Sequence, residues 1–277
     1  MAEGLSAPDQ EVARPRTGAV AVVLFALFFS GTAGVANQVL WQRALKIFLG
    51  GSETLSSLVV VLVFMLGLGV GAELMGARVW RSRNPVRLLG LVELALVVTT
   101  LGIGLLFRLD IRESVYAFQR FALSIGVPLR AVYAVGATLI LLPPTILMGA
   151  TVPIASEACQ RQLGASRSSL VAVLFVLNTL GAVVGAFASS FYFLPVHGQT
   201  ASLGCASLMN LGAAVTLLAL AGRLPPAKPG VATPRREKAD RLRPEELAGM
   251  GLGFLSTEAF LKTFDSGSTL EGTLAHR

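Results

Sequence analysis

Long uncharged stretches set the pattern of this chain. No Asp, Glu, Lys or Arg falls between Arg16 and Arg43, between Arg130 and Glu157, or between Arg167 and Arg223. A helix crosses the hydrocarbon core of a bilayer in roughly 20 residues. Six stretches reach that length, at about 18–40, 54–77, 87–107, 131–155, 169–194 and 199–222. The pattern predicts an all-α, polytopic membrane protein with about six transmembrane helices. The fifth and sixth stretches form one apolar tract divided by Pro195-Val196-His197-Gly198, whose Pro and Gly favour a turn; a tight helical hairpin is expected there. Between the third and fourth, residues 108–130 mix charge with Val115, Tyr116, Phe118, Phe121 and Leu123, and read as an interfacial helix on the membrane surface rather than a seventh span.

The flanks complete the domain plan. Residues 1–17 are expected to form a short N-terminal tail, 18–222 the transmembrane domain, and 223–277 a basic, flexible tail. Arg14 and Arg16 ahead of an apolar run resemble a signal peptide, but such a run is only about 7–15 residues long, and the uncharged stretch from Thr17 to Gln42 is long enough for a full span. In the tail, Pro225, Pro226, Pro229 and Pro234 stand among basic residues, a composition suited to a linker, and Glu245 to Phe264 is expected to form a short helix. Counted near the span ends, Lys and Arg number 14 on the side of the N-terminus (Arg14 and Arg16, Arg78 to Arg87, Arg161, Arg167 and the tail) against 6 on the other (Arg43, Lys46, Arg108, Arg112, Arg120, Arg130). The positive-inside rule therefore places both termini in the cytoplasm.

Composition agrees. Of the 277 residues, 53% are hydrophobic and 14% charged, whereas about 25% are charged in an ordinary soluble domain. The formal net charge of +7 does not point to nucleic acid, because the cationic residues sit in short connections and the tail, where they face anionic lipid headgroups. Cys159 and Cys205 make no CxxC pair and read as packing residues.

An internal repeat emerges at an offset of 114. Leu66-Gly67-Leu68-Gly69-Val70-Gly71-Ala72 matches Leu180-Gly181-Ala182-Val183-Val184-Gly185-Ala186 at five of seven positions, and the same offset lays spans one to three on spans four to six. Three helices are an odd number, so the second copy enters the membrane from the opposite side. The expectation is a 3+3 inverted repeat of the transporter type, resembling half of a major-facilitator-type transporter. Gly67, Gly71 and Gly76 in the second span, and Gly181, Gly185 and Ser189 in the fifth, are expected to be helix-packing positions, since small residues let helices approach closely in lipid. Residues 67–72 also satisfy G-x-G-x-x-A, but they lie inside an apolar helix rather than after a strand, so no dinucleotide site is expected.

The polar residues within spans are the candidates for chemistry. Glu73 and Glu93 lie near Arg78, Arg81 and Arg87 along the chain; a salt-bridge cluster joining the second and third helices is expected, with proton coupling or cation binding as the alternative. Trp41 and Arg43 read as an interfacial anchor, Asn37 and Gln38 as anchor or cavity residues, and Asn178 and Asn210 as interhelical hydrogen-bond formers. Pro143, Pro144 and Pro153 are expected to break the fourth span, freeing carbonyls. No Walker loop, HExxH or metal-spaced cluster is present, and the histidines are His197 and His276; no cofactor is expected.

Ser30-Gly31 followed by Val39-Leu40-Trp41-Gln42-Arg43, Gly50-Gly51-Ser52, Phe64 to Gly71, Leu147-Met148-Gly149-Ala150-Thr151-Val152-Pro153 and Leu177 to Ala186 resemble the membrane part of bacterial spermidine synthase-like proteins, over about residues 18–222. The resemblance implies a bacterial inner-membrane location. It also implies a partnership with an aminopropyltransferase-like domain acting on decarboxylated S-adenosylmethionine and a polyamine. The Gly- and Asp-rich nucleoside-binding segment of that domain has no counterpart here, so this chain is not expected to be an enzyme by itself. Where the family often has Tyr-Glu before the Trp, this chain has Asn37-Gln38. Three readings follow: a membrane module anchoring or supplying a soluble transferase, a small-molecule or polyamine transporter active alone or as a homodimer, and a truncated remnant.

Overall fold

Each apolar tract becomes a helix. The computed structural model describes residues 16–49, 53–107, 112–165 and 167–227, all within one unit spanning 1–230. The tail helix expected at 245–264 and the Gly50-Gly51-Ser52 motif lie outside the described residues. Among those residues the secondary structure is helical throughout: α1 (Thr17–Leu49), α2 (Glu53–Gly76), α3 (Pro85–Leu106), α4 (Arg112–Ser124), α5 (Leu129–Glu157), α6 (Arg167–Ala188) and α7 (Leu194–Ala221). A 3-10 turn at Val79–Arg81 and π-helical segments at Ala158–Gln162 and Ser189–Phe193 join or extend them. α3 starts where local chemistry dictates: Pro85 opens its first turn and the Asn84 side chain accepts from the Arg87 N–H at 3.0 Å, an N-cap.

Five continuous helical stretches are long and apolar enough to cross a membrane, the last being the 52 residues Leu170–Ala221. That length is more than twice what a bilayer needs, and the stretch doubles back. Gly198 has φ 75° and ψ 178°, a conformation open to glycine and costly to other residues. Leu170 and Leu174 from one arm then share a core with Leu217 and Ala221 from the other. The expected hairpin is present, but Pro195 stays helical and the reversal is confined to Gly198.

Two expectations are corrected. Pro143, Pro144 and Pro153 do not break their helix: α5 runs through all three. A proline removes only its own N–H from the ladder, so the loss falls on the Leu139, Ile140 and Gly149 carbonyls alone, and a packed membrane helix tolerates it. α1 does not end near residue 40 but continues to Leu49, with consequences for Trp41 below.

The helices pair in two matching ways. α2 packs most extensively on α5 and α1 on α6, while α7 lies against both α1 and α3, and α3 also contacts α5. Glycines make the close approaches. A β-carbon on Gly67 would strike Thr145, and one on Gly71 the Ile146 carbonyl; in the other pair, Gly181 faces the Phe28 carbonyl and Gly185 the Thr32 carbonyl. Gly71 and Gly185 differ by 114 positions, as do Thr32 and Ile146. Ser189 is buried and donates to the Ala186 carbonyl at 3.2 Å. Gly76 has nothing within 4 Å and is exposed, so it is not a packing contact: it ends α2 beyond the crossing point with α5.

α4 is amphipathic, with Tyr116, Phe118 and Phe121 exposed and Ala122 buried, and it rests on α5. Apolar cores fill the bundle, one around Leu27, Leu89, Ile154 and Leu217, another around Leu40, Val60, Leu96 and Leu141, and a small one of Ala33, Ala36 and Ala206.

Candidate functional site

A column of buried polar side chains runs between α1, α3 and α7. α1 and α3 are parallel and in register: Asn37 Nδ2 donates to Thr100 Oγ1 at 3.4 Å, and one level away Ser30 of α1 faces Glu93 of α3. α7 runs antiparallel to α3, with Leu218 against Gly90 and Leu203 beside Gly104. By that register Ser207, on the buried face of α7, stands level with Thr100, Asn210 lies on the Thr100 side of the interval between Thr100 and Glu93, and the part of α7 opposite Glu93 is near Ala214. Seven residues separate Glu93 from Thr100, which puts them on one face of α3 about 10 Å apart at ~1.5 Å rise per residue.

Glu93 is 1% exposed, and neither carboxylate oxygen has a hydrogen-bond partner among the described residues. The same is true of the Asn37 Oδ1, the Ser207 hydroxyl and both amide atoms of Asn210. Buried polar groups are nearly always satisfied, and leaving one unpaired costs about 1–3 kcal/mol, more for a charge. Their concentration on one seam is thus the most unusual feature of the bundle. Toward the opposite end from the chain's N-terminus, Gln199 Nε2 donates to the Leu40 carbonyl at 2.6 Å and Trp41 closes the column.

The structure rearranges the sequence-derived candidates. Asn37 and Glu93 lie in the column; Gln38 and Asn178 are half-buried, Asn178 with its backbone carbonyl over Gly31. Glu73 is exposed near the end of α2. The expected salt-bridge cluster does not form: no ion pair joins Glu73 or Glu93 to Arg78, Arg81 or Arg87 among the described residues. Six positions separate Arg87 from Glu93, about 240° around the helix, so one is exposed while the other is buried. Trp41 is not an interfacial anchor. It is fully buried in the core with Leu40, Leu45 and Val59, because α1 continues past it, while Arg43 is exposed. Asn210 makes no interhelical hydrogen bond in the described structure. Ser207 and Thr100 carry no signal of their own in the sequence, since single hydroxyl residues are common in membrane helices and only helix packing sets them on the buried seam beside Asn37.

A second constellation gathers where α1 begins and α2, α5 and α7 end. Arg161 donates to the Trp80 and Ser82 carbonyls, each at 2.6 Å, and pairs with Glu157 at 2.9 Å. Gln162 accepts from the Val86 N–H and donates to Asn84 Oδ1 and the Pro225 carbonyl, all at 3.1 Å. The Ala227 N–H reaches the Arg83 carbonyl at 2.7 Å, and the Arg16 N–H the Leu163 carbonyl at 3.1 Å. Arg78, Arg81, Arg83, Arg87 and Arg223 stand exposed at this end. Among the described residues, no three His, Cys, Asp or Glu come together as a metal cluster.

A bundle of apolar helices of this length, with its polar groups buried along an interhelical seam, is a multi-pass helical membrane protein. Over 216 residues the chain is 27% identical to polyamine aminopropyltransferase 1 of Streptomyces coelicolor, a distant similarity covering 77% of this chain. The chain spans 37% of that relative's length. No protein-family profile matches, and no solved structure does.

Proposed function

We propose that this chain is the membrane module of an aminopropyltransferase-type system, anchoring or supplying a soluble transferase that works on polyamines. The observation that carries this reading is the similarity to the Streptomyces coelicolor aminopropyltransferase, which runs through most of this chain and a minor part of that protein. The arginine-rich end adds a docking face. Five exposed arginines surround the place where Pro225 and Ala227 are pinned, and a cationic surface steers and retains an acidic partner. In this arrangement both termini face the cytoplasm of a bacterial inner membrane. The test is purification of the full chain in mild detergent at low and high ionic strength. A transferase should co-purify at low salt and be released at high salt; recovery of this chain alone under both conditions counts against the proposal.

A second reading is transport of a small cationic solute by a 3+3 inverted repeat. It is favoured by the pairing of Gly71 with Ile146 and Gly185 with Thr32 at one common offset, since two such halves can rock against each other around a central site. Vesicles reconstituted with the chain should then take up labelled polyamine, and uptake should fall in Glu93→Gln. Uptake equal to that of protein-free vesicles would sink this reading.

A further inference from the structure

We propose that Glu93 is a proton-binding site with one-sided access: its carboxyl holds a proton in the closed bundle, and that proton exchanges along the polar seam toward Trp41. The carboxyl is 1% exposed, and the polar side chain set against it is the Ser30 hydroxyl of α1. A single hydroxyl does not offset a negative charge in an apolar interior, whereas a protonated acid needs no counter-ion there.

The facing elements bring no counter-charge. α3 packs on α7, α5, α1 and the π-helical segment Ala158–Gln162. α1 has no charged residue between Arg16 and Arg43, α5 has none between Arg130 and Glu157, and α7 has none along its length. On the π-helical segment Arg161 is engaged by the Glu157 carboxylate and the Trp80 and Ser82 carbonyls. Arg87 of α3 itself turns to the exposed side. Of the remaining titratable groups, Cys159 lies in the core with Leu89 and Tyr133 bonds Ser56. By the α3–α7 register, Cys205 and His197 stand beyond Thr100, away from Glu93. A proton is the positive charge that this site can take, and it requires no cavity.

Access follows from what lies on either side. Eight residues separate Glu93 from Pro85 at the start of α3, about 12 Å of helix, so the shorter way to water leads to the arginine-rich end. That way is closed by Val86 and Leu89 of α3, Val23 and Leu27 of α1, and Leu217 and Ala221 of α7, all buried in one apolar core. The other way is polar. Asn210 comes first, then Ser207, Thr100 and Asn37 at one level. Both amide atoms of Asn210, the Ser207 hydroxyl and Asn37 Oδ1 have no protein partner among the described residues, and buried groups of this kind are satisfied by water. Water held along these side chains takes the proton from the Glu93 O–H and returns one by the same path.

Proton occupancy and its route do not depend on whether the bundle moves a solute or holds a transferase, so the test reads the carboxyl itself. The full chain is reconstituted in phospholipid vesicles at neutral pH, and its infrared spectrum is recorded in water and after transfer to heavy water. Wild type and Glu73→Gln should both show a carboxylic-acid carbonyl band that Glu93→Gln lacks, and transfer to heavy water should shift it. Asn210→Leu and Ser207→Val put apolar groups in the seam; they should keep the band and slow its shift about tenfold. Thr216→Val, on the exposed side of α7, should leave the rate unchanged. Cooperative thermal unfolding of each sample shows that the variant is folded. A spectrum without an acid band assignable to Glu93 would overturn the proton site, since the group is then a carboxylate. Slowing in either folded seam variant supports the route, and the wild-type rate in both would overturn it. These failures leave the uptake and co-purification tests standing.

Discussion

Gly185 of α6 lies directly on the backbone carbonyl of Thr32 in α1, too close for a β-carbon to fit. Both atoms that would have to move belong to helix backbones, so relief requires the helices to part. Gly185→Ala should destabilise the bundle by about 1–3 kcal/mol, the usual cost of overpacking, and Gly71→Ala at the matching α2–α5 crossing should do the same. Gly76→Ala, with open space around it, should be neutral. Thermal unfolding in detergent compares the three.

Arg161 spans two carbonyls and one carboxylate with its forked guanidinium. Lysine has a single ammonium and cannot hold both Trp80 and Ser82 carbonyls in the same geometry. Arg161→Lys is expected to lose about 1.5–3 kcal/mol, the worth of one hydrogen bond to a charged group, and to loosen the turn at Val79–Arg81. Proteolysis near Trp80 should quicken in the variant, and an unchanged cleavage rate would refute the clamp.

Gln162 joins the start of α3 to the segment after α7. Removing its amide in Gln162→Leu deprives the Val86 N–H of its acceptor and frees the Pro225 carbonyl. Hydrogen exchange at Val86 should speed up by an order of magnitude or so, consistent with the loss of about 1 kcal/mol of local protection. Exchange in the middle of α3 should not change.

Trp41 and Trp80 are the two tryptophans of the chain, and only Trp41 is fully buried. In Trp80→Phe, fluorescence from Trp41 should resist quenching both by aqueous iodide and by brominated lipid, because neither reaches the helix interior. Strong quenching by brominated lipid would restore the interfacial-anchor reading of Trp41.

The sequence by itself determined the helices, because the physics involved is local. Uncharged runs long enough to cross a bilayer must satisfy their backbone internally as helices. Hence α1, α2, α3, α5 and the doubled tract ending at Ala221 were legible, together with the reversal near Gly198 and the crossing glycines Gly67, Gly71, Gly181 and Gly185. What the local pattern could not supply was which residues meet. Glu93 was expected to pair with arginines close to it along the chain, yet the angle between positions 87 and 93 on α3 turns them apart. Ser30 comes to Glu93, and Asn37 to Thr100, across α1 and α3 through helix register, a relation between distant segments. Trp41 moved from surface to core for a similar reason: α1 runs on to Leu49, and burial at that depth depends on α2 and α5 closing over it. Beyond the i,i+4 spacing of Arg161 and Glu157, Arg161 and Gln162 carry little sequence signal, since most of their partners belong to turns distant along the chain. Helix formation is written in hydrophobicity over some twenty residues, whereas the polar column exists only once three helices pack side by side.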